Sequence, residues 1–300
     1  MNVKSITRRE LLAGATALAA RAATRPNILF LMADEFRFDA LGAAGHPVVK
    51  TPHLDRLARE GTRFASTYTV SPVCSPARAS LFTGRYAHVH GLQRNGTAAN
   101  NGEIFLPSIL SYYRYHTAIS GKLHFRPKRF DFGFDRFWSF SDEGPTPENG
   151  YFAYMQSKHG SPAPFPKVPG SCPWPDDPLG KDVGLFRYPP EDFQSEWITD
   201  RAVEYLRSRQ GNAQPWFLFV SYLKPHSPSV EIPRYFNLYD PERIPVPKLP
   251  PNIKEMRAAA KGAKRSYVDD ERMERVMSTI YYGSVTHTDA QIGRVLAELE

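Results

Sequence analysis

The 300-residue sequence predicts an α/β protein built on a doubly wound, mostly parallel sheet flanked by helices. Three observations carry that prediction. Continuous apolar runs of strand length, Ile28 to Ala33 and the stretch PWFLFVSYL ending at Leu223, read as strands buried on both faces. Segments of helical period with clear start and stop signals lie between such runs. The two kinds alternate along the chain, as crossover connections between parallel strands require.

The first 24 residues are a separate object. Arg8 and Arg9 precede an Ala-rich apolar run from Leu11 to Ala20, and Ala20-Arg21-Ala22 is a small-residue cleavage pattern. This is the form of a twin-arginine export signal, so a periplasmic or secreted location and a passage through the Tat machinery are expected. The run is too short to span a bilayer, and no other stretch approaches that length.

The folded part is expected from residue 25 to 300. After the first strand, which ends in Asp34 and Glu35, the segment TPHLDRLAREG has Thr51 as cap and Pro52 at the first helical position. It places Leu54, Leu57 and Ala58 on one face and stops at Gly61. Thr62 to Thr69 alternates like a strand, and a short helix follows Pro76 to about Thr83. FLPSILSYY reads as helix, YHTAIS as strand, EWITDRAVEYLRSRQG as helix closed by Gly211, and PWFLFVSYL as a buried strand. From Asp270 a Pro-free stretch with Met273, Val276, Ile280, Ile292 and Val295 at helical spacing reads as one long helix with a break near Gly283. Residues 141–193 differ: rich in Pro and Gly, with aromatics such as Tyr151, Phe152 and Trp174, they read as an ordered insertion over the sheet edge that shapes a substrate mouth.

Composition narrows the function. A net charge of +7 favours anionic ligands, but the Lys and Arg residues are dispersed and no basic helix interleaves them with stacking aromatics, so nucleic acid is not the expected partner. Two cysteines, Cys74 and Cys172, do not make a disulfide framework.

Ligands of open parallel sheets bind outside the carboxyl ends of the strands. Asp34 and Glu35 follow the first strand, Cys74 starts a helix after the second, Lys122 and His124 follow YHTAIS, and Lys224 and His226 follow PWFLFVSYL. Each has an ordinary alternative: Asp34 as a cap, the histidines as satisfied interior groups, the lysines as solvated, Cys74 as an inert buried thiol. Their convergence on one sheet edge favours a site. The helix start at Cys74, with Arg78 one turn in, makes an anion-binding corner that would depress a thiol pKa or stabilise an oxyanion. The pocket suits a tetrahedral anion.

The segments RPNILFLMADE, TPHLDRLAREGTRF, CSPAR, LFTGR, GKLHF and KPHSP, in this order, resemble the type I sulfatases of the alkaline phosphatase superfamily. The resemblance covers Arg25 to Glu300 and implies a sulfuric ester hydrolase. Cys74 would be oxidised to formylglycine by a formylglycine-generating enzyme that reads Pro76 and Arg78. The hydrated aldehyde would attack sulfur, with Arg78 holding the hydroxyl. A divalent cation, Ca2+ in that family, would bind Asp34 first and the residue 74 oxygen. Glu35 stands where many members have a second aspartate, and its place in the shell is left open. Lys122 and His226 would grip the sulfate, His124 would assist the formylglycine oxygen, His226 would protonate the leaving alcohol, and Asn95 would contact substrate.

Choline-sulfatase-like and phosphonate-monoester-hydrolase-like members share the GK-x-HF segment and also lack that second aspartate, which points toward their branch. Members of the family carry, beyond the long helix, a strand ending in an Asp-Asn or Asp-His metal pair and a further sulfate-binding lysine. The sequence ends before any of these, so it is expected to be the N-terminal portion of the catalytic domain. Two other readings compete: a phosphate or phosphonate ester hydrolase of the same superfamily, and a secreted, non-catalytic remnant that binds anions.

Overall fold

Seven residues, Ile28–Asp34, form the first strand of a computed structural model that describes residues 25–100, 102–127, 132–141, 149–160, 167–168, 171, 183–245, 251–252, 255–256 and 271–300. The expected export signal, Cys172, Trp174 and much of the 141–193 insertion lie outside the described residues. In chain order the elements are β1 (Ile28–Asp34), α1 (Pro52–Glu60), α2 (Cys74–Thr83), α3 (Ala87–His90), α4 (Leu106–Tyr112), β2 (His116–Lys122), β3 (Arg136–Phe140) and α5 (Gly150–His159). There follow β4 (Val183–Leu185), α6 (Gln194–Arg209), β5 (Trp216–Pro225), β6 (Ser229–Glu231), α7 (Pro233–Phe236) and α8 (Glu271–Ala297).

Four strands make the main sheet in the order β1-β5-β2-β3, all parallel, and β4 pairs with β6 in a small parallel sheet. The doubly wound arrangement follows from the period-two alternation of the apolar strands. On β5, Leu218, Val220 and Tyr222 belong to the core under α6 and α8, whereas Phe217 and Phe219 belong to the core under α2 and α4. On β1, Leu29 and Leu31 face the first core, Ile28, Phe30 and Met32 the second. Because all four strands run the same way, Asp34, Lys122 and Pro225 end at one edge of the sheet. A register shift between Ala33 and Asp34 sets Asp34 opposite Pro225.

The predicted strand Thr62 to Thr69 does not form. Its alternating residues span the gap between the ends of α1 and α2 and meet no strand edge, leaving Phe64 and Tyr68 exposed. β3, which the sequence reading did not anticipate, pairs beside β2 instead. α8 runs unbroken through Gly283, because a Cβ there would stand 2.0 Å from the Tyr235 carbonyl oxygen: this glycine permits a close helix approach and does not interrupt the helix. The described part of the insertion is ordered, with Tyr151 fully buried on α5.

Candidate active site

Asp34 is the centre of the site. Its Oδ2 accepts from Lys122 Nζ at 2.9 Å and from Arg78 Nη2 at 3.3 Å, and its Oδ1 faces Cys74 Sγ at 3.7 Å. Burial opposes ionisation of this carboxyl, but Arg78, Lys122 and then His226 outweigh it and hold its pKa below the ordinary value.

Each partner is delivered by a recognisable local cause. Cys74 is the first residue of α2, with Val73 as the flanking extended residue, so the thiol stands at the positive end of a ten-residue helix. The Ser75 N–H donates to Asn95 Oδ1 at 2.9 Å, and Ser75 Oγ donates to the His124 carbonyl at 2.7 Å. Arg78, one turn on, points into the sheet edge and is 2% exposed. Its Nη1 donates to the Lys122 carbonyl at 2.6 Å and to Ser221 Oγ at 2.8 Å. Gly121 makes that crossing of β2 and β5 possible: at φ +113° a Cβ would lie 2.0 Å from the Ser221 carbonyl oxygen. Glu35 (φ 59°) and His124 (φ 65°) hold left-handed backbone at the same edge, a conformation uncommon for non-glycine residues.

Most of the expected residues therefore meet. Ligand atoms of Asp34, Cys74 and His226 all lie within 4.8 Å of one another. His226 Nε2 is 3.4 Å from Glu35 Oε1, so the half-exposed Glu35 carboxylate faces a histidine. His124 is half-buried on the loop after β2. Asn95 is tied to the start of α2, its carbonyl oxygen serving the Ser75 N–H: the geometry gives it a part in fixing the helix that carries Cys74.

Two expectations are corrected. Lys224 does not point to this site. On β5 it has the parity of Tyr222, which faces α6 through Thr199, and its Nζ donates to the Pro228 carbonyl at 2.5 Å. The Cys74 thiol is not depressed either: burial and then the Asp34 carboxylate push its pKa up, outweighing Lys122 and Arg78. The helix start and Arg78 thus do not make a thiolate at residue 74. Ser221 was missed by the sequence reading, although a lone hydroxyl inside the apolar run of β5 was a visible signal.

As a cation site the described donors are incomplete. Asp34 Oδ2 is already shared by two cations and Glu35 faces His226, whereas Ca2+ takes six to eight oxygens.

The fold defines the class first. The sheet and its flanking helices superpose on the phosphonate monoester hydrolase of Agrobacterium radiobacter with a TM-score of 0.72 at 24% identity, over 92% of this chain and 59% of that one. The yidJ protein of Bacteroides fragilis shares this α/β fold, with a TM-score of 0.63 at 23% identity over 93% of this chain and 59% of that one. The sulfatase family model matches residues 26–300, and the chain belongs to the sulfatase family. An arylsulfatase of Clostridium perfringens is 31% identical over 294 residues, 92% of this chain and 59% of the relative. An ulvan-active sulfatase of Formosa agariphila is 32% identical over 286 residues, 92% of this chain and 47% of the relative. The chain thus spans less than two thirds of the length of these relatives.

Proposed function

We propose that the protein hydrolyses a sulfate monoester at the carboxyl edge of β1, β2 and β5, with residue 74 as the nucleophile in its formylglycine form. The observation that supports this most directly is the cluster on one carboxylate: Cys74, Arg78 and Lys122 all meet Asp34. As formylglycine, residue 74 supplies a hydrated aldehyde, one hydroxyl to attack sulfur and a second whose collapse releases sulfate by carbon–oxygen cleavage.

The chain's own residues then do three things. Arg78 and Lys122 place two buried positive charges where the sulfuryl oxygens gather charge, preorganised by the Ser221 hydroxyl and the Lys122 carbonyl. Asp34, held ionised beside residue 74, accepts hydrogen bonds from the attacking group. His226, within reach of both, carries the proton that the departing alkoxide takes up. Asp34 is also the residue through which a divalent cation, Ca2+ on the family resemblance, would be held as a Lewis acid, with further ligands from outside the described set.

The substrate proposed is an aryl or carbohydrate sulfate, in line with the arylsulfatase and ulvan-active sulfatase relatives. Export through the twin-arginine route is proposed on the Arg8-Arg9 signal. The test is turnover of sulfate, phosphate and phosphonate esters side by side with Ca2+ supplied, together with mass analysis of the Cys74 peptide from exported protein. Sulfate ester turnover and an aldehyde at residue 74 are expected. Preference for a phosphorus ester would favour a phosphonate-hydrolase-like reaction. An unmodified thiol with no turnover would leave an anion-binding protein.

A further inference from the structure

A second cluster of ionisable groups, distinct from the one around Asp34, lies beneath the site. Lys224, Glu231 and His287 are at most 1% exposed. The imidazole of His287, on α8, is set between two carboxylates, with Nδ1 2.7 Å from Glu231 Oε1 and Nε2 3.1 Å from Glu196 Oε1. It stacks on Tyr235 at 4.2 Å and 11°. Glu231 Oε2 accepts from Ser284 Oγ at 2.9 Å, and Oε1 also accepts from the Ile232 N–H at 2.8 Å. Burial disfavours the charged imidazole, but Glu231 and Glu196 overcome it and raise its pKa to about 9. An imidazolium clamped between two carboxylates is a fixed strut at neutral pH.

The strut has a direction. Lys224, in β5, and Glu231, in β6, flank the turn that carries His226. Within that turn Lys224 Nζ donates to the Pro228 carbonyl, and the His226 N–H donates to the Leu223 carbonyl at 3.0 Å. One end of the turn is thus anchored in β5, and the other, β6, pairs with β4 through its backbone and is held by the Glu231 side chain to His287 and Ser284 on α8.

We propose that His287 is a positioning residue: through Glu231 it fixes the 224–231 turn so that His226 is presented to Asp34 and residue 74. The inference rests on the proposed function only in the role of His226, and its test needs no turnover.

In the full chain labelled with 15N-histidine, the His226 imidazole resonances and the exchange rate of its backbone amide are followed in His287→Gln and in Val295→Ala. The second variant removes packing from a buried position on the same helix without touching the cluster. His287→Gln is expected to displace or split the His226 imidazole signals and to speed its amide exchange by about tenfold. Val295→Ala is expected to lower the melting temperature and leave both readouts unchanged. Unmoved His226 signals in His287→Gln, or equal acceleration in the two variants, overturns the proposal. Should His287→Gln not fold, Ser284→Ala, which deletes one hydrogen bond to Glu231, is read in the same way: a smaller displacement of the same signals supports the proposal, and none overturns it. Failure of sulfate ester hydrolysis would overturn the proposed function and leave these signals, and the positioning role they report, intact.

Discussion

Lys122→Met tests whether charge or packing holds the site together. The ammonium is buried, 2.9 Å from Asp34 Oδ2, and its removal leaves that carboxylate with Arg78 at 3.3 Å as its remaining close ion-pair partner. Breaking a buried pair costs about 3–5 kcal/mol, and the surviving arginine puts this case at the low end, about 3 kcal/mol. For a chain of this size that lowers the melting temperature by about 5 °C at neutral pH. The sign of the pH dependence follows from Asp34. Its folded pKa is depressed below 3.8, so its contribution is present above 3.8 and is lost as pH falls through the folded value. Without Lys122 the Asp34 pKa rises, and the deficit of the variant should therefore be full at pH 7 and close as pH drops toward 3. Thermal unfolding of parent and variant across that range measures it. A deficit as large at pH 3 as at pH 7 would show that Lys122 acts by filling space and would refute the charge argument. Sulfate ester hydrolysis should fall by about 10²–10³, the usual loss for one preorganised transition-state contact.

Other outcomes are expected from the same geometry. Cys74→Ser removes the thiol from which the aldehyde is made, so turnover should vanish and the peptide mass should show no aldehyde, while the melting temperature stays within about 2 °C because the site is half-exposed. Asp34→Asn should lower sulfate ester turnover by about 10²–10³, the usual loss for one preorganised contact; full turnover would show that Asp34 has no part in the reaction. Gly121→Ala should cost about 3 kcal/mol or more in urea unfolding, since the side chain meets a backbone carbonyl and a left-handed φ together; an unshifted midpoint would show that β2 and β5 separate easily. The destabilisation in His287→Gln, about 3 kcal/mol, should be complete below pH 6.5 and fade as pH rises through about 9, because a raised folded pKa stabilises only while the proton is bound; a pH-independent deficit would argue against the buried imidazolium.

Part of the fold was legible because a strand buried on both faces cannot avoid a continuous apolar run: Trp216 to Leu223 became the fully buried β5, whereas Ile28 to Ala33, expected to be buried likewise, became β1, half-buried at the end of the described four-stranded sheet with β5 as its one pairing partner there. The Thr62 to Thr69 segment shows the opposite case. Alternation is a property of the segment, whereas pairing needs an edge in the right place, and β3 took the position beside β2 with a less obvious pattern. Gly283 looked like a helix break because an isolated glycine weakens a helix; the neighbouring Tyr235 backbone that requires it comes from a distant part of the chain.

By itself the sequence determined β1, β2 and β5, the residues Asp34, Lys122 and His226 at or just after their carboxyl ends, and the Cys74 to Arg78 motif at a helix start, since these follow from periodicity and local punctuation. Tertiary structure alone decided which way each side chain went. Strand parity turned Lys224 toward α6 and α8 and Ser221 toward Arg78, and the close approach at Gly121 brought β2 and β5 together under the arginine. It also decided the charge state of the thiol, because a pKa depends on burial and on the charges within a few ångströms, and Asp34 came closer to Cys74 in space than anything in the intervening forty positions could reveal.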